Sequence, residues 1–213
     1  MNKYPWVVAL MDATGTQQFC GGTLVASKYV VTAAHCMYTD NAQTQVMTPA
    51  QLKIRIGDHD LETVGETSLE KTVSVNKITI HESYGGADLA NDITVIELAE
   101  ELDLNVYTPA CMAQTSDSTS FDGKTAQVYG WGTTSFGGAS SSKLLEVSVP
   151  VISNTQCSAA MGAVAAGQLC AGGQAGKDSC QVSLHNSLIS KASVSLNRVI
   201  LTVLELNSRP QNV

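Results

Sequence analysis

Short hydrophobic runs rich in β-branched residues recur along most of the chain, each closed by Gly, Asn, Asp or Ser. Val7-Val8-Ala9-Leu10 and residues 28–32, 52–56, 73–80 and 93–98 read as strands, because Val, Ile and Thr pack well on a pleated surface. Residues 126–131 and 144–152 continue the pattern after a polar stretch at 114–123. Helical periodicity is nearly absent, and only 153–161 could hold a turn or two of helix. Many short strands separated by turn signals predict an all-β sandwich or barrel. The polar stretch predicts a boundary between two β units, 1–113 and 114–181.

The last 32 positions, 182–213, break the pattern: they contain no Gly, Cys or aromatic residue, whereas all 17 glycines lie at or before Gly176. This predicts a third segment of different origin.

Composition narrows the class. The 213 residues carry 12 Lys and Arg against 19 Asp and Glu, a net charge of −7. That balance opposes a nucleic-acid partner, since phosphate binding needs clustered cations. Residues 147–176 are uncharged but contain Pro150, several glycines and polar side chains, so no membrane span is expected. The start, Met1-Asn2-Lys3-Tyr4-Pro5-Trp6, has no signal-peptide pattern. None of the six cysteines forms a CxxC pair, so a structural zinc is not expected. The spacings of 16 between Cys20 and Cys36 and 13 between Cys157 and Cys170 suit short disulfide loops. An oxidising compartment is the better expectation. With no leader visible, the chain is either incomplete at its start or keeps its thiols reduced.

Four short motifs carry chemistry. Thr32-Ala33-Ala34-His35-Cys36 follows a β-branched run and is preceded by Cys20-Gly21-Gly22-Thr23-Leu24. A bridge between Cys20 and Cys36 would pin the turn that holds His35, and a general base needs such fixed placement. Taken alone, such a histidine is more often structural. Asn91-Asp92 opens an apolar strand, where a carboxylate is costly unless hydrogen-bonded, and orienting a histidine would satisfy it. Gly130-Trp131-Gly132 ends a strand, and Gly176-Lys177-Asp178-Ser179-Cys180-Gln181 holds an Asp beside a cysteine in a Gly-bounded loop.

In this order the motifs resemble the trypsin-like serine proteases of the chymotrypsin fold. The resemblance runs from Tyr4 to Gln181, 178 of 213 residues. It implies two antiparallel β-barrels, the first nearly complete and the second incomplete. His35 matches the catalytic base and Asp92 the acid that orients it. Asp178 matches the carboxylate at the base of the primary specificity pocket, which selects Lys or Arg. Cys20–Cys36 and Cys157–Cys170 match family disulfides. The implied function is trypsin-like endopeptidase activity on peptides or proteins, in an extracellular setting, with protein inhibitors as candidate partners. No cofactor, metal, nucleic acid or membrane is implied.

The chain then departs from the family. Where the family has Cys-Gln-Gly-Asp-Ser-Gly-Gly-Pro, this sequence reads Cys180-Gln181-Val182-Ser183-Leu184-His185. Leu184 falls at the nucleophile position and has no nucleophilic atom. Val182 replaces the glycine of the oxyanion hole, and Ser183 the aspartate that pairs with the new N-terminus after activation. The family's Ile-Val-Gly-Gly start has no counterpart before Tyr4. The chain is therefore expected to be truncated relative to the family at both ends and inactive as written. The alternative is a non-catalytic homologue acting as a protein-binding module. Gln181-Val182-Ser183 can be encoded as a splice-donor sequence, which suggests a tail translated from a retained intron. Cys111 and Cys180 lose their family partners and are expected to be free thiols. With half of the second barrel missing, 126–131 and 144–152 are expected to present unpaired edges. Asp58, Asp60, Glu62, Glu66 and Glu70 crowd one segment. Their spacing does not match the calcium loop of some trypsins, so a solvated acidic loop is expected, with His59 and His81 at the surface.

Overall fold

The computed structural model describes residues 3–40, 42–85, 90–112, 121–133, 138–161, 164, 168–172, 192–196 and 199–203. Asp178, Cys180 and Val182–Ser183–Leu184 lie outside these described residues. The chain divides into two compact units, Met1–Cys111 and Met112–Val213.

The first unit is built on six strands: β1 Val7–Asp12, β2 Gln18–Ala26, β3 Tyr29–Thr32, β4 Leu52–Ile56, β5 Lys71–Ile80 and β6 Thr94–Leu98. They close in the order β1-β2-β3-β6-β5-β4, and β4 returns to β1. All the pairings are antiparallel. This barrel is complete, where the sequence had suggested a nearly complete one. Closure leaves no free sheet edge. Val8, Leu10, Leu24, Val30, Ile54, Ile56, Ile96 and Leu98 are fully buried within it. Each such side chain stabilises the fold by about 1.5–3 kcal/mol.

The hydrophobic pattern missed β2. Its sequence, QFCGGTLVA, contains two glycines and reads as a motif rather than a strand. The glycines fit because the barrel is tight there: a Cβ at Gly22 would stand 3.0–3.1 Å from side-chain carbons of Val30, Leu10 and Val8. β2 is a strand because β1 and β3 pair with both of its sides.

The acidic segment corrects a second expectation. It is not simply solvated. The buried Arg55 side chain places Nε 2.6 Å from Asp58 Oδ2 and donates to Glu70 Oε1 at 2.7 Å. Asp58 is only 2% exposed and Glu70 15%. Arg55 and Asp58 thus form a close, buried ion pair. Glu70 Oε2 also accepts from Gly65 N, and Glu66 Oε1 from the backbone of His59 and Asp60. The guanidinium thus organises the loop from within. His59 and His81 are exposed, as expected.

The second unit contains a five-stranded sheet in the order β11-β10-β7-β8-β9. Its strands are β7 Thr125–Gly130, β8 Leu145–Ile152, β9 Cys170–Ala171, β10 Ala192–Leu196 and β11 Val199–Val203. Ala126, Val128, Val149, Val151 and Ala171 form its buried face, with Phe121, Val147 and Leu169 packed against them. Their alternation along β7 and β8 is the two-residue period of a strand with one face buried. The helix α1, Asn154–Met161, follows β8, and a Cys157–Cys170 disulfide ties it to β9.

The edges expected at β7 and β8 are not edges. β8 lies between β7 and β9, and β7 pairs with β10 through Ser195 and Gln127. The covering strands β10 and β11 come from the tail. Its β-branched Val and Ile, alternating with Ser and Thr in part, supply two strands although the segment lacks the family pattern.

Candidate active site

The register of the barrel brings the site together. Thr32, the last residue of β3, pairs with Thr94, the first of β6. His35 follows β3 by three residues and Asp92 precedes β6 by two, so both leave the barrel at the same end. Thr32 Oγ1 donates to Gly21 O at 2.8 Å, anchoring the exit. Ala33 and Ala34 are fully buried, and a short 3-10 turn follows over His35–Met37. The Cys20–Cys36 disulfide ties that turn to β2.

Asp92 is set by its own loop. Asn91 adopts φ 55°, a left-handed conformation that asparagine tolerates better than most residues. Its side chain donates to Ser83 O at 3.0 Å. His81 N donates to Ile93 O at 3.0 Å and closes the base of the loop.

Asp92 meets His35 at two points. Its Oδ1 accepts from the His35 backbone N at 2.9 Å, and its Oδ2 lies 2.7 Å from His35 Nδ1. The side chains are 10% (His35) and 7% (Asp92) exposed. A buried carboxylate is costly without such bonds. The neutral imidazole donates from Nδ1, which leaves Nε2 as the acceptor. Nε2 is buried and has no hydrogen-bond partner among the described residues.

Three residues that the motifs did not single out meet across two loops. The Gln43 amide donates to the Tyr84 hydroxyl at 2.9 Å, and the Tyr84 ring lies 5.9 Å from that of Tyr38. Burial, and then the negative charge of Asp92, push the Tyr84 hydroxyl up to about 12. Gln43 sits at φ 54° in a loop closed by the Tyr38–Val46 bridge. Thr44 and Gln45 bond to the Asp40 carboxylate there, and the Thr44 hydroxyl first among them holds Asp40 below the usual carboxylate range. These contacts join loops 41 residues apart, so no local motif reveals them.

The expected site is therefore brought together in part. His35 and Asp92 meet, and both expected disulfides form. Asp178 and Cys180 lie outside the described residues, and Cys111 is an exposed free thiol. Donor atoms of Cys20, His35 and Cys36 lie within 4.8 Å of one another. Both sulfurs are committed to the bridge, so this cluster offers a metal only an imidazole.

A closed β-barrel that holds a histidine against a buried aspartate at one rim defines the class. The trypsin family model, described as Trypsin, matches residues 1–182. Trypsin-1 of Astacus astacus is 38% identical over 168 residues, 76% of this chain and 67% of that protein. Serine protease filzig of Drosophila melanogaster is 34% identical over 161 residues, 73% of this chain and 9% of that protein. Venom serine protease 34 of Apis mellifera is 29% identical over 187 residues, 85% of this chain and 44% of that protein. The solved structure of neuropsin, a serine protease expressed in the limbic system of mouse brain, superposes with a TM-score of 0.73 at 27% identity. That match covers 93% of this chain and 80% of neuropsin. The chain belongs to the trypsin family of serine proteases. It spans under half the length of the filzig and venom protease relatives.

Proposed function

We propose that this chain is a trypsin-family endopeptidase homologue that keeps the base and orienter but does not hydrolyse peptides as written. The observation that carries the reading is the two-point contact of Asp92 with His35, through the backbone N at 2.9 Å and Nδ1 at 2.7 Å. In a complete family site, such a carboxylate fixes the imidazole tautomer and stabilises the imidazolium. Nε2 then takes the serine proton while the hydroxyl oxygen attacks the scissile carbonyl. The amine leaves with that proton, and water hydrolyses the acyl-enzyme. Asp178 would select Lys or Arg by charge in that chemistry, on peptide or protein substrates outside the cell. The two disulfides fit such a compartment. Among the described residues, no helix is long and apolar enough to cross a membrane.

The chain's own sequence withholds the nucleophile. Leu184 stands where the serine belongs, and Val182 where the oxyanion-hole glycine belongs. Loss of the serine in a related triad lowers kcat by about 10⁶. The test is the purified full chain with Lys- and Arg-containing peptide amides and a fluorophosphonate probe. Background hydrolysis and no labelled serine are expected. Stoichiometric labelling of any serine would overturn the reading.

A further inference from the structure

We propose that reduction of the Cys20–Cys36 disulfide opens a zinc site at the His35 turn, with the Cys20 and Cys36 thiolates and the His35 imidazole as ligands. The inference goes beyond the function given above and needs the placement of His35, not turnover. Donor atoms of the three residues lie within 4.8 Å of one another. In a tetrahedral zinc site, bonds of about 2.3 Å to sulfur and 2.0 Å to nitrogen put each sulfur ~3.5 Å from the nitrogen and the two sulfurs ~3.8 Å apart. Bonded sulfurs are too close for that, so the intact bridge excludes the metal. Once the bridge is broken, rotation of the two cysteine side chains supplies the remaining movement.

The imidazole is already set for a metal. Asp92 Oδ2 stands 2.7 Å from Nδ1, and Oδ1 accepts from the His35 backbone N at 2.9 Å. Around zinc, such a carboxylate orients the ring and raises its basicity. It leaves Nε2 of a side chain that is only 10% exposed, and this nitrogen is buried with no hydrogen-bond partner among the described residues. The serine that would take it up in the family is replaced by Leu184 in the sequence. Cys36 adjoins His35 in the 3-10 turn, Cys20 lies on β2, and both are buried. Two thiolates and one imidazole suit Zn²⁺, with water in the fourth position. The balance is simple. A dithiol reductant gives two electrons and two protons to the bridge and itself closes to a disulfide. Zn²⁺ then displaces the two thiol protons to solvent and takes an electron pair from each thiolate and from neutral Nε2.

The test is a Co²⁺ titration of the full chain, reduced with a dithiol, desalted without oxygen and then challenged with Zn²⁺. The reduced chain is expected to bind one Co²⁺ with the visible bands of a tetrahedral ion and a thiolate-to-cobalt charge-transfer band, both lost when Zn²⁺ is added. The disulfide-bonded chain is expected to show neither. Asp92→Asn should weaken binding about 10- to 100-fold, as loss of an outer partner does. His35→Gln and Cys36→Ser each remove a ligand and should weaken it by at least the upper end of that range, about 100-fold. Cys157→Ser should stay within about threefold of the parent. His35→Gln keeps the bridge and decides the matter if Cys36→Ser fails to fold. A reduced parent without the tetrahedral thiolate spectrum overturns the site. So does binding in His35→Gln within about threefold of the parent, because thiols alone, as in an unfolded chain, then hold the metal. A serine labelled by fluorophosphonate would overturn the function above and leave this site standing.

Discussion

Arg55→Met tests whether one buried cation organises the acidic loop. The substitution keeps much of the side-chain volume and removes the charge. Asp58, 2% exposed, and Glu70, 15% exposed, then lose their ionic partner. Breaking a buried pair by removing one member costs about 3–5 kcal/mol, because the remaining charge stays uncompensated. For a first unit of 111 residues, the unfolding entropy near 60 °C is about 0.23 kcal/mol/K, so the melting point should fall by ~13–22 °C. The chain has two tryptophans. In a Trp131→Phe background, Trp6 fluorescence during heating or denaturant unfolding reports on the first unit alone.

The deficit should also depend on pH. Burial raises the Asp58 carboxyl above its usual 3.8, Arg55 opposes the rise, and Glu70 and Glu66 add to it. A raised carboxyl binds its proton more readily in the folded state. Its stability contribution is therefore fully present below 3.8 and lost as pH rises through the folded value. Removing Arg55 raises that value further. The gap between parent and variant should be full near neutrality and narrow on acidification toward the carboxylate range. Adding Asp58→Asn should recover part of it. A deficit below about 1 kcal/mol, or one independent of pH, would refute the reasoning.

Two further outcomes follow from geometry alone. Gly57→Ala should destabilise the first unit by about 2 kcal/mol or more, because Gly57 has φ +76° and an added Cβ would collide with the Leu69 carbonyl; a denaturant midpoint unchanged from the parent would count against it. Deleting residues 182–213 strips β10 from β7, and an open edge invites pairing between chains; light scattering should show faster aggregation than for the full chain, and equal rates would speak against the β10–β7 pairing.

The sequence made the barrel legible where strands are apolar and β-branched, as in β4, β5 and β6. It hid β2, whose glycines are selected by the three side chains crowding Gly22 rather than by propensity. It announced His35 and Asp92 through motifs whose residues are contiguous. The Gln43–Tyr84 contact was invisible, because its residues meet only when two loops fold toward each other. The acidic segment misled for a related reason. Its charge density suggests solvent, but Arg55, which neutralises it from inside, lies in a strand whose other side chains are mostly apolar. The tail shows a third failure: loss of a family pattern says nothing about local β propensity, and Val194, Val199, Ile200 and Val203 are ordinary strand residues.

The His35–Asp92 pair belongs wholly to the first unit, although 57 residues separate its members. Barrel closure fixes the β3–β6 register, the register sets both exits at one rim, and the disulfide and the Asn91 turn set the two side chains at those exits. None of these determinants draws on residues 182–213. The pair's geometry is thus a property of a closed barrel that pays its own folding cost. A carboxylate buried to 7% exposure needs the imidazole whether or not a nucleophile is present. The structural demand on Asp92 and His35 therefore does not depend on the chemical one, and the presence of the pair in this chain is no evidence of turnover.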